Sequence, residues 1–303
     1  MQGNKTVSTS KGEQHPGTMV AIPCFNEERF IGSVVLKARN YADHVIVIDD
    51  GSTDKTAMVA ELAGAQVIKH NCNEGKGVAV NTAFEYAQEI ECKALVLLDG
   101  DGQHEPADIP IVLEPILNDQ ADMVVGSRFL GMKGSIPRYR VWGQHVLTFF
   151  TNIGSQIKLT DSQSGFRAFS PSAIKAFSFA EKGLSVESEM QFLAKEADLR
   201  VTEVPIGMTY YDKAKRSPLA HGMGVLNAIM GLISKRIPLF FFGVPGLIML
   251  GFGFWEGYRV VHGYNIYHEF FLGPALLAVL LCVVGALSLF TGLILHTVKS
   301  YLK

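Results

Sequence analysis

The stretch Lys93–His104, KALVLLDGDGQH, constrains the fold of this chain more than any other part of the sequence. Ala94–Leu98 is a run of small and apolar residues, which predicts a buried strand of a parallel sheet. Asp99 and Asp101 follow it directly, and open α/β sheets bind ligands at the carboxyl ends of their strands. Two carboxylates this close can share a hard divalent cation with phosphate oxygens. The alternative is a solvated Asp-Gly turn.

Strands and helices alternate along the first two thirds of the chain. Thr18–Cys24, His44–Asp49 and Gln66–His70 have strand patterns, and helical spacing of apolar residues separates them. This alternation predicts an α/β fold with a mostly parallel, doubly wound central sheet over residues 18–217. The first strand is followed by PCFNEE rather than GxGxxG, and no GxxxxGK[ST] occurs, so a dinucleotide-binding dehydrogenase and a P-loop NTPase are disfavoured. Residues 1–17 are polar and predict a flexible tail.

Composition argues against two kinds of function, which are nucleic-acid binding and a metal site built from cysteines. The formal net charge is −2, so no overall basic field indicates nucleic acid as a partner. The four cysteines show no CxxC pairing and no zinc spacing with histidine, which indicates reduced thiols rather than a metal site.

The last quarter of the chain is apolar and predicts attachment to a membrane. Ile237–Trp255 and Phe270–Val298 contain no Asp, Glu, Lys or Arg, and each is long enough to cross a bilayer. We expect spans at about 237–258 and 270–298 within a membrane domain 237–303. Residues 218–236 precede them, and the apolar face of Val225–Arg236 predicts an interfacial helix; a helix packed on the enzyme core is the alternative. Lysines and arginines flank the spans on one side, which predicts an integral membrane protein with its catalytic region and C-terminus in the cytoplasm.

Six motifs stand in order along the chain: IPCFNEE (Ile22–Glu28), DDGSTD (Asp49–Asp54), NEGKG (Asn73–Gly77), DGDGQH (Asp99–His104), GSR (Gly126–Arg128) and SGFRAF (Ser164–Phe169). Together they resemble glycosyltransferase family 2, with its GT-A fold. The resemblance covers roughly Val20–Tyr211 and is strongest to the membrane-anchored polyprenyl-phosphate and dolichyl-phosphate glycosyltransferases.

The resemblance implies roles for residues at the strand ends. It assigns Mg²⁺ or Mn²⁺ to Asp99, Asp101 and Gln103. It places the nucleotide-sugar donor against a larger set, which is Pro23, Glu27, Asp49, Asp50, Gly75, Lys76, Asp99 and Gln103. The chain departs from the family's common DADxQ form by Gly100 and Gly102, which predicts a more flexible loop in the absence of metal.

An acceptor phosphate and an anionic donor repel each other, so the acceptor side requires fixed cations. We expect them among five basic residues, with solvated charge or structural ion pairs as the alternative: Arg128, Arg140, Arg167, Lys215 and Arg216. For the catalytic step we expect contributions from Asp101, Arg128 and Asp161. The alternative for Asp161 is a turn or cap residue. Glu187 and Glu189 are candidates for sugar hydroxyls or for the first turn of a helix.

These expectations combine into one function. The chain is expected to transfer one sugar, with inversion, from a nucleotide-sugar to polyprenyl or dolichyl phosphate on the cytoplasmic membrane face. The loop Tyr210–Asn227 resembles the glucosyl or N-acetylglucosaminyl branch of the family more than the mannosyl branch, which implies UDP-glucose or UDP-N-acetylglucosamine as donor, with GDP-mannose as the alternative. A homo-oligomer through the apolar helices is left open. A processive polysaccharide synthase would carry QxxRW, whereas Gln191 is followed by FLAK. An inactive membrane scaffold of the same fold is disfavoured by the intact aspartates.

Overall fold

The computed structural model describes residues 15–130, 138–179, 186–208 and 218–301. The chain divides into two compact units, Met1–Ile229 and Met230–Lys303.

A seven-stranded sheet forms the centre of the first unit, with strand order β3-β2-β1-β4-β6-β5-β7. Among the strands of the described residues, only β6 runs antiparallel to its neighbours β4 and β5, and the other pairs are parallel. The predicted α/β fold with a mostly parallel sheet is therefore confirmed. The strands are β1 (His15–Cys24), β2 (Ala42–Asp49), β3 (Gln66–Lys69), β4 (Ala94–Leu97), β5 (Met123–Ser127), β6 (Arg167–Phe169) and β7 (Val201–Pro205).

Helices cover the sheet and connect its strands. They are α1 (Ile31–Ala38), α2 (Thr56–Leu62), α3 (Lys76–Glu89), α4 (Ile109–Leu117), α5 (Arg138–Ser155), α6 (Pro171–Ala176) and α7 (Val186–Glu196), with a 3₁₀ turn at Pro106–Asp108.

The alternation of side chains along the strands builds two apolar cores, one on each face of the sheet. In β1, Val20 and Ile22 belong to one cluster together with residues of α1, α2 and α4. Met19 and Ala21 belong to the opposite cluster together with residues of α3, α6 and α7. Because both faces of the sheet are buried at its centre, β4 is apolar throughout and Met19–Ile22 of β1 is apolar as well, and the polar Asp99 appears only after β4 has ended.

Helix α8 (Pro218–Arg236) carries the chain into the second unit. Val225, Ile229, Leu232 and Ile233 are buried and lie on one face of this helix. The predicted amphipathic pattern is thus present in this helix. Placement of α8 in a membrane interface stays a prediction.

The rest of the second unit is a helical pair. A π-helical turn at Leu239–Gly243 leads into α9 (Val244–Tyr267), and α10 (Leu272–Tyr301) follows. The two helices approach closely, since a Cβ atom at Gly246 would lie 2.7 Å from the carbonyl oxygen of Gly285. Both helices are long and apolar enough to cross a membrane, and only 17% of each most apolar window is buried. The expected pair of apolar C-terminal helices is therefore confirmed.

Candidate active site

The site lies where three neighbouring strands of the first unit end. Strand β1 ends beside β2, with Cys24 opposite Asp49, and the Asp50 amide donates to the Cys24 carbonyl at 2.9 Å. Strand β4 lies on the other side of β1 and is followed by Asp99. Because the three strands are parallel, the DDGSTD and DGDGQH segments leave the sheet at the same edge.

Two buried aspartates organise the loop after β2. Asp50 accepts hydrogen bonds from the amides of Glu74 and Gly75, at 3.0 and 2.8 Å, and contacts His70 Nδ1 at 2.9 Å. It therefore fixes the NEGKG segment at the start of α3. Asp49 accepts from the Ser52 amide through Oδ1, while its buried Oδ2 has no hydrogen-bond partner in the part of the chain described. Lys69 Nζ lies 4.0 Å from this oxygen, beyond hydrogen-bond distance, so the acceptor is open to a hydrogen bond from a ligand or a water molecule.

Lys76, in the first turn of α3, occupies a cation position between two carboxylates. Its Nζ atom lies 2.7 Å from Asp99 Oδ1 and 2.6 Å from Glu187 Oε1. Burial alone would lower the pKa of Lys76, but Asp99 and Glu187 outweigh it and raise that pKa. The ammonium group is therefore fully charged and links the end of β4 to the first turn of α7.

Asp99 and Asp101, hereafter the aspartate pair, differ in their electrostatic surroundings. Burial alone would raise the pKa of Asp99, but Lys76 reverses the effect and lowers it. Burial, followed by repulsion from Asp99, raises the pKa of Asp101 to about 6, and Glu27 adds to the increase. Asp101 Oδ1 also accepts from the Gln103 amide at 3.0 Å. The pair thus concentrates negative charge that a further cation would neutralise.

Two glycines hold this loop in place. Gly102 has a φ of +72°, in the left-handed region, and a Cβ atom there would lie 3.1 Å from the ring of Phe30. The departure from the DADxQ form at this position thus accompanies a backbone turn that favours glycine. Gly165 adjoins the Asp99 carboxylate so closely that a Cβ atom at 165 would collide with it. The SGFR segment therefore forms one wall of the aspartate pair.

The residues present fit a divalent cation whose remaining ligands come from a bound substrate. Among the described residues no group of three or more His, Cys, Asp or Glu could hold a metal ion. The aspartate pair supplies hard oxygen atoms with a mutual repulsion that a cation relieves. Mg²⁺ in particular is commonly bound by one or two carboxylates together with substrate phosphates. For Gln103 only the backbone contact to Asp101 is seen, so its role as a metal ligand stays a prediction.

His104 is a buried neighbour of the aspartate pair. It is 5% exposed, and burial lowers its pKa to about 4, so the ring is neutral. Its Nδ1 atom lies 3.9 Å from Asp99 Oδ2, and its ring packs at 5.6 Å from that of Phe166. His104 also forms an isolated antiparallel bridge with Met208. The loop of the aspartate pair is thus tied to the backbone just before residues 209–217.

The predicted catalytic residues Arg128 and Asp161 are paired with each other. Arg128 donates to Asp161 through Nε at 2.6 Å and Nη2 at 2.7 Å, and its amide donates to the same carboxylate. Both side chains are nearly inaccessible. A carboxylate neutralised by a guanidinium is a poor base, and the geometry supports the alternative that Asp161 has a structural role. Glu203 fixes this loop, because its carboxylate accepts hydrogen bonds from the Thr160 and Asp161 amides. This role was not predicted from the sequence, which indicates it only by an acidic residue within a strand.

Arg167 is buried in the interior, contrary to its predicted role on the acceptor side. It is 0% exposed, and its Nε and Nη2 atoms donate to the carbonyls of Ser164 and Ser162. Burial lowers its pKa to about 10, with Glu187 and Asp161 opposing that effect. An acceptor phosphate cannot reach this side chain without opening the loop. Arg167 instead shapes the SGFR segment behind the aspartate pair.

The remaining predicted residues are only partly accounted for. Pro23 lies at the end of β1, opposite Ile48. Glu27 donates its amide to Thr56 Oγ1 at 2.8 Å and accepts from Phe30 and Ile31 at the start of α1. Arg140 belongs to α5, but its side chain lies outside the described residues, as do Lys215 and Arg216 altogether. The structure therefore places the predicted donor and metal residues at one edge of the sheet; their roles, and those of Arg140, Lys215 and Arg216 toward the acceptor, stay predictions.

Comparisons with known proteins identify the family of the chain. Residues 19–177 match the family model described as glycosyl transferase family 2. The chain is 35% identical over 241 residues to a UDP-N-acetylglucosamine–dolichyl-phosphate N-acetylglucosaminyltransferase of Methanococcus voltae, covering 71% of this chain and 96% of that protein. It is 28% identical over 200 residues to an undecaprenyl-phosphate mannosyltransferase of Micrococcus luteus, covering 62% of this chain and 82% of that protein.

Solved structures show the same fold. The first unit resembles glucosyl-3-phosphoglycerate synthase from Mycobacterium tuberculosis, crystallised with Mn²⁺, uridine diphosphate and glucosyl-3-phosphoglycerate. The TM-score is 0.57 at 21% identity, covering 72% of this chain and 80% of the other. At this identity the likeness shows a GT-A-like fold and nothing about substrates.

Proposed function

Because the chain belongs to glycosyltransferase family 2, we propose that it transfers one sugar from a nucleotide-sugar to the phosphate of a polyprenyl or dolichyl lipid. The observation that carries this proposal is the cluster at the sheet edge. There the aspartate pair, Lys76 and Asp49, whose Oδ2 accepts no hydrogen bond from the described residues, lie at the ends of three neighbouring strands and in the first turn of α3. These groups match the parts of a nucleotide-sugar, which are a base and ribose with hydrogen-bond donors and a diphosphate that binds cations.

A divalent cation held by Asp99 and Asp101, when bound, supplies Lewis-acid stabilisation of the departing diphosphate. The chain's own residues contribute alongside it. Lys76 provides a fixed positive charge at the same edge, and Asp50 holds the NEGKG backbone from which Lys76 projects. Preorganised charges of this kind stabilise the negative charge that develops as the glycosidic bond breaks.

The acceptor is proposed to be already anionic, which removes the need for a strong general base. A lipid phosphate is ionised at neutral pH and can attack the anomeric carbon directly. This agrees with the pairing of Asp161 with Arg128, which leaves no free base at that position. We therefore give Asp161 and Arg128 the role of holding the loop beside the aspartate pair, and assign the acceptor phosphate to Arg140, Lys215 and Arg216.

The donor is proposed to be a UDP-sugar. The relative from Methanococcus voltae is named for UDP-N-acetylglucosamine and dolichyl phosphate, and the one from Micrococcus luteus for mannose and undecaprenyl phosphate. The higher identity and coverage of the first favour UDP-N-acetylglucosamine, with UDP-glucose next and GDP-mannose as the alternative. The two apolar helices would hold the enzyme at the bilayer that contains the lipid, with the first unit on the cytoplasmic side.

A donor panel tests the proposal. The full chain in lipid vesicles is incubated with polyprenyl phosphate, Mn²⁺ and radiolabelled UDP-N-acetylglucosamine, UDP-glucose or GDP-mannose, and the label in the lipid fraction is counted. We expect one UDP-sugar to label the lipid, and chelation of the metal to abolish the labelling.

Two variants make the result specific. Asp101→Asn removes one charge of the aspartate pair and is expected to lower the rate at least about 100-fold. Asp198→Asn is the matched control, because Asp198 is exposed and its φ of +51° suits asparagine as well. Absence of lipid label with every donor, or full activity of the Asp101→Asn variant, would contradict the proposal.

A further inference from the structure

The second unit contains a pocket whose lining includes none of the residues of the candidate active site. It has a volume of about 440 Å³, within the range of roughly 300–1,000 Å³ that is typical of small-ligand sites. Its polar lining is Ser234, Lys235 and Lys299, and its apolar lining includes Pro238, Phe242 and Leu295.

The pocket lies at one end of the helical pair. Lys235 is in the last turn of α8, just before the π-helical turn Leu239–Gly243, and Lys299 is in the last turn of α10. Lys299 Nζ donates to the Arg236 carbonyl at 2.5 Å, which ties the end of α10 to the end of α8. Lys235 and Lys299, which are far apart in the sequence of this unit, therefore line the same pocket.

The chemistry of the lining changes along the helices. The lysines and the Ser234 hydroxyl stand at the helix ends, whereas Phe242 and Leu295 belong to the apolar helical segments, and Leu295 is 41% exposed. A lysine pair above an exposed apolar surface matches a phosphate headgroup attached to a hydrocarbon chain, since lysines at the membrane surface attract anionic lipids.

We propose that this pocket binds the headgroup phosphate of an anionic phospholipid of the surrounding bilayer. The phosphate lies between Lys235 and Lys299, and the acyl chain follows the apolar surface of Phe242 and Leu295. The site would fix the depth of the helical pair in the membrane. It rests on the proposed insertion of the two helices and is independent of sugar transfer.

Lipid retention measures this site without any donor or acceptor turnover. The full chain is placed in nanodiscs of phosphatidylcholine with increasing phosphatidylglycerol, and the lipids that remain bound after extraction are counted by native mass spectrometry. We expect selective retention of phosphatidylglycerol. Lys235→Gln and Lys299→Gln should each lower its affinity about fivefold, as expected for one lysine near an anionic headgroup.

The control is Arg259→Gln, a cation in the same unit that pairs with Glu256 and does not line the pocket. It should leave retention unchanged. If Lys299→Gln fails to fold because the contact to Arg236 is lost, the exposed Lys235 still provides the test.

Equal retention of the two phospholipids, or equal retention by all variants, would overturn the proposal. A second arm adds polyprenyl monophosphate to the nanodiscs. Displacement of phosphatidylglycerol by this lipid, with the same sensitivity to both lysines, would show that the pocket serves the acceptor lipid and would also overturn the assignment to a bilayer phospholipid. Because no sugar transfer is measured, failure here leaves the proposed reaction unaffected.

Discussion

Replacement of Lys76 by methionine perturbs the cation position at the centre of the site. The variant leaves Asp99 and Glu187, which lie 2.7 and 2.6 Å from Nζ, without their shared positive charge. At an effective dielectric constant of about 20, each contact has a gross attraction of about 6 kcal/mol, and desolvation of the three groups offsets most of it.

The net effect follows from the burial of the three groups. The side chains of Lys76 and Asp99 are 23% and 26% exposed, and that of Glu187 is 8% exposed. Removal of one partner from a fully buried pair costs about 3–5 kcal/mol, so we expect about 2 kcal/mol for this partly exposed arrangement. For a unit of this size that corresponds to a decrease of about 5 °C in the thermal midpoint.

Thermal unfolding of the full chain in detergent provides the assay, with and without Mn²⁺. The matched control is Lys37→Met, which breaks the exposed pair of Lys37 with Glu105 at 3.0 Å and should cost about 0–1 kcal/mol. Glu187→Gln combined with Lys76→Met should recover part of the loss, because one of the two uncompensated charges is then removed.

Mn²⁺ should stabilise the Lys76→Met variant more than the wild type, since Lys76 competes with a metal ion for Asp99. Equal thermal midpoints of the Lys76→Met and Lys37→Met variants would refute the electrostatic role of Lys76. Equal stabilisation by Mn²⁺ in variant and wild type would refute the placement of the metal at Asp99.

Three further predictions concern the surroundings of the aspartate pair. Gly165→Ala should collide with the pair and lower the transfer rate about 100-fold, whereas Gly143→Ala, where a Cβ atom meets nothing within 4 Å, should leave it unchanged in the same lipid-labelling assay. Asp161→Asn should destabilise the chain by about 3 kcal/mol in thermal unfolding, because it leaves the buried Arg128 without a full counter-charge; loss of transfer at unchanged stability would indicate a base instead. Burial and Asp99 raise the pKa of Asp101 to about 6, so Asp101 takes up a proton as the pH falls below that value. Mn²⁺ affinity measured by calorimetry should therefore be constant above neutral pH and weaken below about pH 6. A pH-independent affinity would contradict this prediction.

That the predicted donor residues of the first, second and fourth strands lie together could be predicted from sequence because the signals are local. Asp49, Asp50 and Asp99 lie at or just after the ends of apolar strands, and parallel strands bring their carboxyl ends to one edge without further information. The sequence alone therefore predicts that the strands ending at Cys24 and Asp49 end near Asp99. Strand bounds differed from expectation by a few residues, as at β1, which begins at His15 rather than Thr18.

The acceptor half could not be predicted because charge alone does not reveal burial. Arg167 belongs to a three-residue antiparallel strand between β4 and β5, and neither its direction nor its position in the sheet follows from the SGFRAF motif. Arg128 and Asp161 are 33 residues apart, and nothing in their spacing indicates that they pair. Arginines in basic motifs were expected at the surface. Arg128 instead neutralises the buried Asp161, and Arg167 shapes the buried SGFR segment.

The Lys76 bridge had a partial signal. Lys76 and Glu187 were both candidates for the donor or the sugar, but their contact joins α3 to α7 across 111 positions of sequence. Such long-range pairing is fixed by the packing of both helices on the same face of the sheet. The sequence pattern predicts that face for each helix and does not predict which polar residues meet at its edge.

Calorimetry of UDP with the full chain tests the central claim, that the aspartate pair holds the donor diphosphate through a divalent cation. We expect UDP to bind in the presence of Mn²⁺, to lose at least about tenfold in affinity when the metal is chelated, and to lose as much in the Asp99→Asn variant even with the metal present. Binding of UDP with equal affinity in all three conditions would contradict the account.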